Sequence, residues 1–109
     1  MRQFEEDGVI FVKLEGNIQQ AQTDDLENLL ESFHARRHYK VVLDLTEVSH
    51  ICSSALGIMV TYKRLYKQEG GDLKLIVVSP NLQKLFEVTM LDQIFDIAET
   101  KTEAIEKFD

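Results

Sequence analysis

"VVLDLTEVSHICSSALGIMV", residues 41–60, changes its periodicity halfway along. Val41 to Leu45 form an unalternating apolar run, β-branched at its start, as a strand covered on both faces requires. From Ser54 the pattern turns helical. Ala55, Ile58, Met59, Tyr62, Leu65 and Tyr66 share one arc at about 100° per residue, which predicts a helix over 54–68. A buried strand followed by a helix of crossover length is half of a βαβ unit, and such units build sheets with parallel pairs and right-handed connections. The link from Thr46 to Ser53 is longer than the roughly two to six residues usual between strand and helix. Loops leaving the carboxyl ends of parallel strands are where α/β proteins place their sites. This one ends in Cys52, the only cysteine of the chain, followed by Ser53 and Ser54.

Upstream, residues 2–6 and 9–15 read as two strands of a hairpin joined at Asp7-Gly8. Thr23 or Asp24 can cap a first helix with Glu27 completing a capping box, and Leu26, Leu29, Leu30 and Phe33 fall on one stripe. Downstream, Gly70-Gly71 stops the second helix, and "LKLIVV" (73–78) is another buried strand. Ser79 caps a third helix that has Pro80 at its first position. "IFDIA" (94–98) is a last short strand, and Thr100 with Glu103 begins a terminal helix. The order is β-β-α-β-α-β-α-β-α. It predicts a single α/β domain over 1–109, with a mixed, mostly parallel sheet and helices mainly on one face. Leu26, Leu29, Leu30, Phe33, Val42, Leu43, Leu45, Leu75, Val77, Leu85 and Phe86 are expected in the core.

The 109 residues are 44% hydrophobic and 28% charged, ordinary for a chain that folds around one core. A lone cysteine excludes an internal disulfide and suits a reducing compartment, so a cytoplasmic location is expected. The acidic start, Glu5 to Asp7, is no secretory signal, and runs such as Leu75 to Val78 are too short to span a bilayer. A net charge of -7 argues against nucleic acid. The charge is uneven. Residues 34–74 carry four acids and seven bases, whereas 1–33 carry eight acids and two bases. The segment around Ser53 is therefore the locally basic part of an acidic chain, and a partner surface is one reason for such a bias.

Several chemistries lack their motifs. There is no Gly-rich phosphate loop and no G-x-S-x-G elbow, so no cofactor is expected. His34 and His38 stand four apart, but no third ligand accompanies them, and polar groups at a helix C-terminus explain them without a metal. His50 and Cys52 lack an orienting third group, so a Cys-His nucleophile is not supported and Cys52 reads as a small structural residue. The chain is not expected to be an enzyme. On local sequence alone, Ser53 or Ser54 reads as the N-cap of the second helix.

The chain nevertheless resembles a known family essentially end to end. "LEGNIQQAQTDDLENLL" (14–30), "VVLDLTEVSHICSSALGIMV" (41–60) and "GGDLKLIVVSPNLQKLFEVTMLDQIFDIAET" (70–100) are similar, in order and spacing, to STAS domains, specifically to stand-alone anti-sigma factor antagonists. Those proteins read G-x-[LI]-D before the first helix and D-S-[STA]-G-L-G at the start of the second. The resemblance implies a STAS fold in which Ser53 is the phosphoacceptor, with Ser54 at the variable position beside it.

It further implies a partner: an anti-sigma factor that is a serine kinase of the histidine-kinase-like ATPase type. Binding follows dephosphorylation, release follows phosphorylation, and a PP2C-like phosphatase resets the cycle. Three positions depart from the pattern: Gln19 and Cys52 stand where the motifs have aspartates, and Ala55 replaces the first motif glycine. On the second helix, Leu56, Val60, Lys63 and Lys67 fall outside the core arc. With Gln19, Cys52, Ser53, Ser54 and Gly57 they make up the expected partner surface. Two other readings stay open: a phosphorylation-independent STAS scaffold or adaptor, and a small-molecule or nucleotide-binding module. A monomer or weak dimer is expected.

Overall fold

In the computed structural model, which describes residues 1–108, Asp7 and Gly8 both have positive φ, 55° and 77°. That is the backbone of a two-residue hairpin turn. It joins β1 (Arg2–Glu6) to β2 (Val9–Ile18), which pair antiparallel with Glu6 opposite Val9. There follow α1 (Gln20–Ala35), β3 (Lys40–Ile51), α2 (Ser53–Gln68), β4 (Asp72–Ile76), α3 (Pro80–Val88), a 3-10 turn (Leu91–Gln93), β5 (Ile97–Ala98) and α4 (Lys101–Glu106). The sheet order is β1-β2-β3-β4-β5, and every pairing after the hairpin is parallel.

This order explains the layers. Crossovers of one hand that step in one direction across a sheet leave their helices on a single face. Alternation along the strands then sends Ile10, Val12 and Leu14, Val41, Leu43 and Leu45, and Leu73, Leu75 and Val77 to that face. There they meet Leu26, Leu30 and Phe33 of α1, Met59 and Tyr66 of α2, and Leu82 and Phe86 of α3. The other face carries a smaller cluster, Val9, Phe11, Val42, Ile76 and Ala98, covered by Ala104, Ile105 and Phe108. The expected mixed, mostly parallel sheet with helices mainly on one face is the observed one. Of the expected core, only Leu29 and Leu85 are half-buried rather than buried. Truncating a fully buried residue such as Leu43 or Phe33 to Ala costs about 2–5 kcal/mol in such a core.

Four boundaries differ from expectation, each for a local reason. The first helix starts at Gln20, ahead of Thr23 and Asp24, because β2 runs on to Ile18 and Gln19 becomes the cap. The expected loop 46–53 is not a loop: β3 stays paired with β2 as far as Ile51. β4 stops at Ile76, where pairing with β3 and β5 ends. β5 is reduced to Ile97–Ala98, because residues 91–93 turn in a 3-10 helix before Phe95 enters the core. α2 stops where Gly70 turns left-handed (φ 86°) and the Gly71 N–H donates to the Tyr66 carbonyl at 2.8 Å; Gly71 itself is held by close packing. A Cβ on Gly71 would collide with the Tyr39 carbonyl, so this position takes no side chain without a shift.

Among the described residues, no helix is long and apolar enough to cross a membrane.

Candidate functional site

The extra length of β3 is absorbed by two irregularities in its register with β2. Lys13 faces Asp44 while Glu15 faces Glu47, and Gly16 faces Val48 while Asn17 faces His50. At each step β3 spends one residue more than β2, the count that defines a bulge. The two strands nevertheless end level, with Ile18 opposite Ile51, and the Cys52 N–H donates to the Ile18 carbonyl at 2.9 Å. The next residues, Gln19 and Cys52, are the N-caps of α1 and α2. Two helix N-termini thus open side by side at the carboxyl edge of the sheet.

Thr23 ties them together. Its Oγ1 donates to the Gln19 carbonyl at 2.9 Å and lies 3.3 Å from Cys52 Sγ. While the thiol is protonated it donates to Thr23; once ionised it becomes an acceptor for the hydroxyl and for the N–H groups at the start of α2. Thr23 and the nearby backbone N–H groups of Ala55 and Ser54 outweigh desolvation and hold the thiol below its ordinary value. Cys52 is half-buried, and its surroundings favour the thiolate. The α1 cap is steadied by Gln22, whose side chain accepts from the Gln19 N–H at 3.1 Å.

Neither serine serves as the cap. Cys52 takes that position without a side-chain capping bond, and Ser53 and Ser54, the first two residues of α2, are both exposed. A group on Ser53 Oγ stands at the positive end of a sixteen-residue helix, beside backbone N–H groups that lack intrahelical partners. An anion there is electrostatically welcome. Next to it, between the end of β3 and α3, lies a groove of about 300 Å³ lined by Ser49, His50, Ile51, Asn81, Leu82 and Leu85.

Along α2 the expected surface divides. Gly57 is exposed and a Cβ there would meet nothing within 4 Å, so no packing inside the chain demands glycine. Leu56 and Val60 are half-buried, each with one side against the core. Lys63 does not belong to the surface. It is only 8% exposed, and its ammonium is held by Asp72. That contact lets a lysine lie beside the aromatic core, with Phe95 at 6.0 Å from its Nζ. Lys67 is exposed and 3.7 Å from Asp72, roughly 21 Å along the axis from Ser53.

Gln19, Cys52, Ser53, Ser54, Leu56, Gly57 and Val60 are thus gathered at one end of the molecule, while Lys63 and Lys67 lie toward the other. The groove residues Ser49, His50 and Asn81 were not anticipated, because β3 read as a loop there and α3 carries no motif of its own. His34 packs against Tyr39 and Tyr66, with centroids 5.5 and 6.3 Å apart, which accounts for it without a metal. Among the described residues no three His, Cys, Asp or Glu side chains converge to hold a metal ion.

Comparison with known proteins agrees with this geometry. The STAS domain family matches residues 4–104. The anti-sigma-B factor antagonist of Listeria monocytogenes is 31% identical over 88 residues, 81% of this chain and 77% of that protein. The anti-sigma F factor antagonist of Paenibacillus polymyxa is 26% identical over 99 residues, 90% and 85% of the two chains. Among solved structures, an anti-sigma factor antagonist from Mycobacterium paratuberculosis superposes with a TM-score of 0.87 at 23% identity, covering 98% of this chain and 91% of that one. The Bacillus cell fate determinant SpoIIAA in its phosphorylated form gives 0.75 at 18% identity, covering 97% and 96%. With the fold, the order of motifs and the family match in agreement over nearly its whole length, the chain belongs to the STAS domain family.

Proposed function

We propose that this protein is an anti-sigma factor antagonist that binds an anti-sigma factor while Ser53 is unmodified and releases it once Ser53 is phosphorylated. The observation that carries the reading is the state of Ser53: exposed, unneeded as a cap, and placed where helix N–H groups receive an anion. The names of the relatives support the antagonist role and favour regulation over catalysis. One protein of this fold, SpoIIAA, has been solved in both phosphorylated and unphosphorylated forms.

In this reading the partner is a serine kinase of the histidine-kinase-like ATPase type, and a PP2C-like phosphatase restores the binding form. The action takes place in the cytoplasm. The unmodified partner surface consists of Gln19, Cys52, Ser53, Ser54, Leu56, Gly57 and Val60 with the neighbouring groove. Phosphorylation adds about -1.5 to -2 charges in the middle of it. The helix N-terminus stabilises that charge within this chain, so the fold persists. A docked partner must desolvate it, and a hundredfold loss of affinity needs only about 2.7 kcal/mol.

Gln19 and Cys52 favour a second reading, a phosphorylation-independent adaptor, because both replace motif aspartates beside the acceptor. Intact-mass analysis after incubation with the cognate kinase and ATP separates the two. A gain of one phosphate lost in Ser53→Ala supports the switch; no gain in the wild type supports the adaptor.

A further inference from the structure

β1 forms an open edge. It ends the sheet, pairs with β2 through five consecutive positions without a bulge, and contains no proline. The tight turn makes Glu6–Val9 a hydrogen-bonded pair, and alternation along the ladder then aims the N–H and C=O groups of Gln3 and Glu5 outward. Arg2, Phe4 and Glu6 share the face that carries α4. Phe4 stacks on Phe11 with centroids 5.1 Å apart, and Lys101 Nζ lies 5.4 Å from the Phe4 ring centroid. Even so, Phe4 is 48% exposed, beside a depression of about 390 Å³ lined by Arg2, Gln3, Phe4 and Lys13.

We propose that this edge is a homodimer interface, β1 pairing antiparallel with β1 of a second copy, Phe4 opposite Phe4. Charge selects both occupant and register. Full overlap of the strand with its own copy sets Arg2 against Glu6 of the second copy at both ends and Gln3 against Glu5, with no like charges opposed. A shift that centres the pair on Glu5 would put two glutamates face to face; one that centres it on Gln3 loses both Arg–Glu pairs. The groups already bonded keep capacity to spare. Glu6 Oε1 accepts from Lys101 at 3.0 Å, leaving Oε2, and Arg2 Nη2 donates to Glu15 at 3.1 Å, leaving its other N–H groups. Pairing would link Lys101, Glu6, Arg2 of the second copy and its Glu15 into an alternating chain of charges. Edge acids usually deter foreign strands; here they accept only a strand that brings an arginine at the matching place. The dyad is normal to the sheet, so α1, α2 and α3 of both copies share one face of a ten-stranded sheet. The two Ser53 sites then lie at opposite ends and stay free.

Sedimentation of the full chain over a wide concentration range tests this. A concentration-dependent dimer is expected. Gln3→Pro removes an outward N–H, a change that edge strands tolerate, and should give a folded monomer. Arg2→Glu opposes like charges at both ends and should weaken association about tenfold, and the double variant Arg2→Glu, Glu6→Arg should restore it. A monomer at all concentrations up to about 1 mM overturns the proposal. So does a dimer indifferent to Gln3→Pro and Arg2→Glu, or a double variant that remains as weak as Arg2→Glu.

Discussion

Ser53 and Cys52 divide between them two tasks that a single serine would otherwise combine. Cys52 occupies the cap, and Ser53 stands one residue inside the helix with its hydroxyl exposed. Ser53→Asp should therefore keep thermal stability to within a few degrees, since a carboxylate in the first turn is favoured by about 0.3–1 kcal/mol. A loss of ten degrees or more in a melting curve would mean that the hydroxyl supports the fold. The thiol gives a second prediction. Its pKa is lowered by Thr23 and by backbone N–H groups, so the pH profile of Cys52 alkylation should have its midpoint below that of a free thiol. Thr23→Val should move it back up. The sequence contained every residue of this site, and the motif order singled out Ser53, the acceptor proposed above. It did not show that Thr23 bridges the two caps, because that contact joins residues 29 apart and depends on two strands ending level.

At the scale of elements, α2 carries a glycine in its exposed middle without an internal reason for it. Gly57→Ala should raise stability by up to about 1 kcal/mol, because a helical glycine forfeits backbone entropy and the added methyl meets nothing. If the partner closes over this face, the same change weakens binding. Calorimetry beside chemical denaturation would show the opposed effects; unchanged affinity would place the partner elsewhere. The first two helices were legible from their stripes and the last two from their caps, and so was the strand at 41–45. The continuation of β3 to Ile51 was not. Its two bulges break the alternation by which a half-buried strand is read, leaving Glu47, Ser49 and His50 to look like loop residues. The first helix was read late for a similar reason, since its cap is formed by Gln19 and Gln22 rather than by a short polar residue.

For the molecule as a whole, the least expected feature is a charge network at the amino end of the central strands. Asp72 joins Lys63 and Lys74, and Lys74 also reaches Asp96. Lys74 is only 3% exposed, in a segment whose sequence reads as a buried strand. No sequence signal named its two aspartate partners. Burial pushes the Asp72 carboxyl up, but hydrogen bonds from Lys63 and Lys74 outweigh it and hold it below its ordinary value; Asp96 is lowered chiefly by Lys74. A depressed native pKa contributes stability above the unfolded value, which is lost as pH falls through the native one. Stability should hold from neutral pH down to about pH 4 and then fall. Asp72→Asn should cost about 3 kcal/mol or more at neutral pH, by leaving Lys63 without its partner, and should flatten the acid limb. Urea midpoints at neutral pH and at about pH 3, for both proteins, check this; an unchanged acid limb would mean that other carboxylates govern it.

The account stands most directly on one titration: calorimetric affinity for the cognate anti-sigma factor, measured for the wild type and Ser53→Ala before and after treatment with kinase and ATP. Both proteins should bind equally before treatment. Afterwards the wild type should carry one phosphate and bind at least about a hundredfold more weakly, while Ser53→Ala keeps its affinity. If Ser53→Ala still takes up phosphate and still lets its partner go, the switch lies at another residue and the central claim is wrong.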